Sequence, residues 1–230
     1  MSYFYDIIKS FSDGIFLALI KEDRFMFLIK GFITSLEITL AATIIGIVLG
    51  LVVAIFRLRG KGILASLGDG YVTVIRGTPA VVQLTVIYFV ILSQSGLPDL
   101  VVASIAFGIN SGAYVAEIIR AGITAVDRGQ MEAGRSLGLS YAQTMTHIIV
   151  PQAIKNVLPA LGNEFIVLVK ETAVAGYIGI ADLNKGGIQI ASVTYNYMVS
   201  ALCVAYIYLM MTTSLAAGIS SLERRMQRSD

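Results

Sequence analysis

Asn163 and Glu164 are neighbouring polar residues inside an otherwise apolar stretch. A carboxylate at that depth costs about 2.5–3.5 kcal/mol to insert into a bilayer, so it marks a path, a relay or a buried pair. On a helical wheel at about 100° per residue, Asn163, Glu164, Lys170 and Glu171 fall within an arc of about 120°. That is one wet face on an apolar helix. Glu164, helped by Asn163, can hold a cationic side chain or an α-ammonium group. It can equally pair with a basic residue, or with the same helix of a second copy, and be structural. Asn110, Tyr114 and Glu117 form a second one-sided polar stripe, and Glu117 and Arg120 are spaced for an ion pair. Gln83 and Tyr88 are further candidates for lining a polar path. Catalysis has little raw material: His147 is the only histidine and Cys203 the only cysteine. Arg59-Gly60-Lys61-Gly62 lacks the spacing of a phosphate-binding loop. A metal site or a nucleophilic triad has almost no raw material, and no intrinsic nucleotide-hydrolysing site is expected.

These groups need elements that carry polar residues through lipid. Hydrophobic residues make up 56% of the 230 and charged residues 14%, well below the roughly 25% of a soluble domain. The apolar blocks are long enough for spans, which need about 20 residues each. Five are expected: Leu28 to Phe56, Ala80 to Ser93 with Val72 to Pro79 as its approach, Leu100 to Ile119, Leu158 to Ile180, and Met198 to Leu222. The second is the shortest, and Gly77-Thr78-Pro79 predicts an irregular entry, because proline fits a first helical turn and not an interior. Before them, Phe4, Ile7, Ile8, Phe11, Ile15 and Leu19 recur near helical spacing. Residues 1–24 are therefore expected to form an amphipathic helix on the membrane surface and not a cleaved leader. Residues 25–225 form the membrane body.

Basic residues set the orientation. Arg57, Arg59 and Lys61 follow the first span; Arg120, Arg128, Arg135 and Lys155 lie between the third and fourth; Arg224, Arg225 and Arg228 follow the fifth. The positive-inside rule places those three segments in the cytoplasm, with the amino end outside and the carboxyl end inside. The fold class is an all-α membrane protein.

The connection between the third and fourth spans, about residues 120–157, is long for packed elements. It carries helix signals of its own. Asp127 can cap a helix with Gln130 three residues on, and Gly138 can end it in the left-handed conformation after Leu137. Ser140 with Gln143 opens a second helix, which Pro151 bends or ends. The product is a helix of about ten residues, roughly 15 Å long, held outside the membrane on a hairpin. Small Ala133 and Gly134 would let a partner surface approach, and Glu132 can pair with a partner arginine or with Arg128 or Arg135. His147 reads as a surface residue.

Within that loop, Glu132-Ala133-Gly134, three residues, Gly138, nine residues, and Ile148-Ile149-Val150-Pro151 closely resemble the cytoplasmic signature of binding-protein-dependent ABC transporter permeases. All spacings agree; Gly134 stands for the usual alanine and Val150 for leucine. Ile75-Arg76-Gly77-Thr78-Pro79 with Gln83, Gly112-Ala113-Tyr114 with Ala116-Glu117 and Arg120, Gly129-Gln130, and Leu222-Glu223-Arg224-Arg225 look like the polar amino acid branch. Lys170-Glu171-Thr172-Ala173-Val174 departs from that branch and leaves the substrate open.

The resemblance implies a type I importer transmembrane fold in a bacterial inner membrane. It implies that the short helix is a coupling helix docking in a separate ATPase, with Gln130, Glu132, Ala133, Gly134, Leu137, Gly138 and Pro151 forming that element. Asn163, Glu164, Gln83, Asn110 and Tyr114 are the candidates for the substrate path. The expected partners are ATPase subunits (which would carry the ATP and magnesium), a second permease, identical or related, an extracellular binding protein, lipid and an amino acid, but no nucleic acid. An ion-driven secondary transporter is the alternative. It predicts inverted repeats and a coupling-ion site, and leaves the loop unexplained.

Overall fold

The computed structural model describes residues 14–58, 60 and 62–227. The described residues contain helices and connecting turns and no strand. The proposed surface helix falls mostly on residues outside this set. Within it, a π turn Phe16–Ile20 and a 3-10 turn Lys21–Asp23 lead into the body. Ala18 is buried there, and Ile15 and Leu19 pack on the cluster of Leu28, Ile190 and Val199, so this end lies against protein.

Helix α1, Phe25–Leu58, has 34 residues and is about 51 Å long at 1.5 Å per residue, more than the roughly 30 Å hydrocarbon layer. Its buried positions include Gly31, Ser35, Ala42, Gly46, Gly50 and Ala54, a stripe of small residues at helical spacing. Ile44, Val48, Leu51, Val52 and Ile55 are exposed. Such a surface suits lipid and not water. α2, Ile63–Arg76, and α3, Ala80–Val86 with a π turn Ile87–Ile91, meet at 107°. The irregular entry expected at Gly77-Thr78-Pro79 is thus a sharp corner between two helices, and residues 72–76 complete a helix of their own.

α4, Asp99–Thr124, packs along α1 in the most extensive helix pair of the molecule. The two backbones close in through Gly46 and Gly50 on one side and Gly108 and Gly112 on the other. A Cβ at Gly108 would lie 2.7 Å from Ile45 Cβ, and one at Gly50 2.6 Å from Val115 Cβ. Helices in lipid gain little from the hydrophobic effect between them, so this close packing is what holds them.

α5, Arg128–Ser136, forms the helix of the long loop. α6, Tyr141–Thr144, runs through a π turn, Met145–Ile149, into α7, Val150–Glu171. Pro151 therefore neither ends nor interrupts the helix. It sits in the first turn of α7, where a missing amide is tolerated, and the preceding π turn absorbs the shift in pairing. α7 stops at Glu171, and a 3-10 stretch Thr172–Ile178 follows, ended by Gly179 at φ +90°. The helix expected to reach Ile180 is shorter by about two turns.

A helix absent from the expected spans, α8, Leu183–Thr194, comes next. Asp182 caps it, accepting from Lys185 N at 2.7 Å and Gly176 N at 2.6 Å. Burial pushes its carboxyl up from the ordinary range, opposed by those amides. α9, Tyr197–Gln227, closes the chain. By length and composition α1, α4 and Tyr197–Arg224 can each cross a membrane, and the bent pair α2–α3 can form a fourth crossing. The principal core joins Ile38, Leu84, Phe107, Leu168 and Ile178, so the corner, the long pair and the end of α7 share one centre.

Candidate functional site

The loop helix is fixed at both ends by local hydrogen bonds. Asp127 Oδ1 accepts from Gly129 N at 2.6 Å. Gln130 does not complete a capping box: its Oε1 faces Gln152 Nε2 at 3.5 Å. The complete box is at the next helix, where Gln143 N donates to Ser140 Oγ at 3.2 Å and Ser140 N to Gln143 Oε1 at 2.8 Å. At the other end Leu139 N donates to the Gly134 carbonyl and Gly138 N to the Arg135 carbonyl, both at 3.1 Å. With Gly138 at φ +87°, this pair of bonds is a Schellman motif.

Glu132, Ala133 and Leu137 are exposed, Leu137 to 81%. Gly134 turns the other way. It is buried, and a Cβ there would lie 2.5 Å from Thr144 Cγ2. Its small size serves the hairpin's own seam, not the approach of a partner, and this explains why glycine stands in the place of alanine.

At the end of the body nearest the loop helix, Glu117 pairs with Arg120, as the spacing predicts, and Arg57 joins them. Arg57 Nη1 is 2.7 Å from Glu117 Oε2 and its Nε 2.6 Å from Asp69 Oδ1, so one guanidinium ties α1, α2 and α4 together. Its side chain is 12% accessible. Arg57→Ala removes the hub, leaving the half-buried Glu117 to Arg120 alone and the solvated Asp69 unpaired. The expected cost is about 1–3 kcal/mol, between the values for exposed and buried pairs. A lowered Tm of the detergent-purified protein measures it; an unchanged Tm would show that the network does not brace the fold.

The mid-body polar groups form a second assembly. Gln83 is buried and fully used. Its Nε2 donates to the Ile75 carbonyl at 2.6 Å, the Thr78 carbonyl at 3.0 Å and Thr78 Oγ1 at 2.8 Å. Its Oε1 accepts from Asn110 Nδ2 at 2.9 Å. Gln83 therefore staples the 107° corner and is not free to line a path. Asn110 is 3% exposed, and its Oδ1 is buried without a hydrogen-bond partner among the described residues. Tyr88 Oη donates to Asp99 Oδ1 at 2.7 Å, which ties it to the start of α4.

Ser111 Oγ donates to Glu164 Oε1 at 2.9 Å, linking α4 to α7. One turn along α4, the Tyr114 ring carries the Arg76 guanidinium, 5.3 Å from the ring centroid. Asn163 and Lys170 are exposed, and Glu164 and Glu171 half-buried. Asn110 is turned to Gln83, and Glu164 and Tyr114 are held by Ser111 and Arg76. Those last two were not among the path candidates. Ser111 falls off the i, i+4, i+7 stripe, and Arg76 had drawn notice only as part of a motif.

The family of binding-protein-dependent transport system inner membrane components matches residues 46–228, and the chain belongs to it. Among its relatives, the arginine transport system permease protein ArtQ of Bacillus subtilis (strain 168) is 37% identical over 212 residues, covering 89% of this chain and 94% of ArtQ. The putative glutamine transport system permease protein GlnP of Rickettsia bellii (strain RML369-C) is 39% identical over 198 residues, covering 84% and 91%. A chain in the crystal structure of an amino acid ABC transporter with histidines superposes with a TM-score of 0.84 at 46% identity, covering 91% of this chain and 98% of that one. The inward-facing methionine transporter MetNI shares the fold at a TM-score of 0.75, with 22% identity over 89% of this chain and 98% of its own.

Proposed function

We propose that this chain is the membrane-spanning subunit of an ATP-driven importer of polar amino acids, crossing the inner membrane five times with its amino end outside and its carboxyl end in the cytoplasm. The observation that carries the proposal is the loop helix. It is capped at Asp127, stopped at Gly138 and held on its own hairpin, with Glu132, Ala133 and Leu137 exposed. A rigid helix that buries little against its own body is built to push on something else. The partner is an ATPase subunit that binds ATP and magnesium and moves α5 when it closes.

A second permease copy, or a close relative, completes the path, and an extracellular binding protein delivers the substrate. The relatives named for arginine and glutamine transport support the amino acid class. Glu164, held by Ser111 and flanked by Asn163, takes the positive group of the substrate, the α-ammonium or a basic side chain. Asn110 and Tyr114 border the same place, and Gln83 shapes it from behind.

Uptake by proteoliposomes containing the permease, its ATPase and its binding protein tests this. Glu164→Gln removes the charge and keeps the shape, and KM is expected to rise about tenfold, the loss of one charge-assisted contact. Unchanged KM for every amino acid transported would remove Glu164 from the path. Uptake without ATP would overturn the importer reading itself.

A further inference from the structure

We infer that Arg76 receives the α-carboxylate of the transported amino acid, opposite Glu164, so that the two residues measure the zwitterion. The inference rests on the reading of the Glu164 region as the substrate path. Arg76 is the last residue of α2, at the corner where α2 and α3 turn by 107°. Gln83 fixes the backbone beside it through the Ile75 carbonyl, so the side chain leaves from an anchored point.

The guanidinium lies over the Tyr114 ring, 5.3 Å from its centroid. A face contact of this kind spends the π surface of the guanidinium and leaves its in-plane N–H donors for an anion. The ion pairs among the described residues are Arg24 with Glu22, Arg57 with Asp69 and Glu117, and Arg120 with Glu117. Arg24, Arg57 and Arg120 are thus each held by a carboxylate, whereas Arg76, exposed at its end of the site, has none within 4 Å, a condition it shares with Arg128 and Arg135 on the loop.

The opposite charge is close along the same helix. Tyr114 is one turn from Ser111, and Ser111 holds Glu164. Each pole is tethered by its own partner, and the two do not pair with each other. Opposite charges kept apart on a fixed frame suit a ligand that carries both, and the α-carboxylate with its neighbouring ammonium is the part common to all amino acids. A guanidinium fork matches a carboxylate with two parallel bonds, which a lysine cannot do.

The test is equilibrium binding to the purified permease–ATPase complex without its binding protein, which would read the carboxylate itself. The probes are radiolabelled L-arginine and L-glutamine, with their decarboxylated counterparts agmatine and γ-aminobutyramide. The wild-type complex is expected to prefer the amino acid over its amine. Arg76→Gln should weaken amino acid binding about tenfold or more and leave the amine unchanged, collapsing the preference. Arg76→Lys, which keeps the charge, should fall between and serves where Arg76→Gln does not assemble. Glu164→Gln should weaken amino acid and amine together.

A preference that survives both Arg76 variants overturns the inference, as does an equal loss for acid and amine. Collapse at Arg76 with no effect at Glu164 upholds the carboxylate site and removes Glu164. The reverse pattern upholds Glu164 and removes Arg76. A wild-type complex that binds none of the four overturns both.

Discussion

Gly50→Leu is expected to leave almost no folded permease in the membrane. A Cβ at that position would lie 2.6 Å from Val115 Cβ and Cγ1 and 2.9 Å from the Ala116 amide nitrogen, so the first added carbon already collides with backbone. A leucine adds three more. Overpacking by single methylenes costs about 1–3 kcal/mol, and a folded domain has only about 5–15 kcal/mol in hand. In lipid the contact between α1 and α4 depends on close approach, so spreading the two helices removes the attraction as well as adding strain. The principal core, with Ile38, Ala42, Ala103 and Phe107, would open with them. Membrane-extracted protein measured by size-exclusion chromatography should fall to about a tenth or less, since even 1–2 kcal/mol changes abundance several-fold. Gly218→Leu, where a side chain meets nothing within 4 Å, is the control and should accumulate normally. Wild-type levels of the Gly50 variant would disprove the close α1–α4 contact.

Glu132→Arg is expected to do the opposite: keep the fold and stop transport. Glu132 is exposed on α5, and the helix is held by Asp127, Gly138 and the Gly134 seam without using it. Surface substitutions of this kind change stability by about 0.5 kcal/mol or less. At a docking surface the same reversal sets like charges together, which costs several kcal/mol. ATP-driven uptake in proteoliposomes should drop at least tenfold, a loss of about 1.4 kcal/mol or more, while Tm moves little. Co-purification of the ATPase should weaken in parallel. Normal uptake would mean that α5 does not face the ATPase through Glu132, and the proposed coupling element would have to be sought elsewhere.

Features that depend on neighbours in the chain were legible from residue types alone. Asp127 reaches an amide two residues on, the Ser140–Gln143 box closes over three residues, Gly138 takes the left-handed turn, and Glu117 meets Arg120 across one helical turn. Each is set by a spacing that every helix imposes. Apolar length likewise marked out α1, α4 and α9. The motif around Glu132 to Pro151 carried the family, which the match over residues 46–228 bears out.

What tertiary structure decided was the use of each polar group. Gln83 reads as a path residue on its own helix, yet its carboxamide is consumed at a corner formed with Ile75, Thr78 and Asn110. Arg57 reads as a topology charge, but a residue 60 positions away makes it a brace. Gly134 reads as a docking surface until Thr144 folds beneath it, and α8 depends on a cap at Asp182 packed beside Gly31. Arg76 and Ser111 became part of the site only when α2, α4 and α7 met. Helical spacing is a property of the local backbone and is written in the chain. The partner across a helix interface is chosen by packing between distant segments, and a side chain's chemistry follows from that partner.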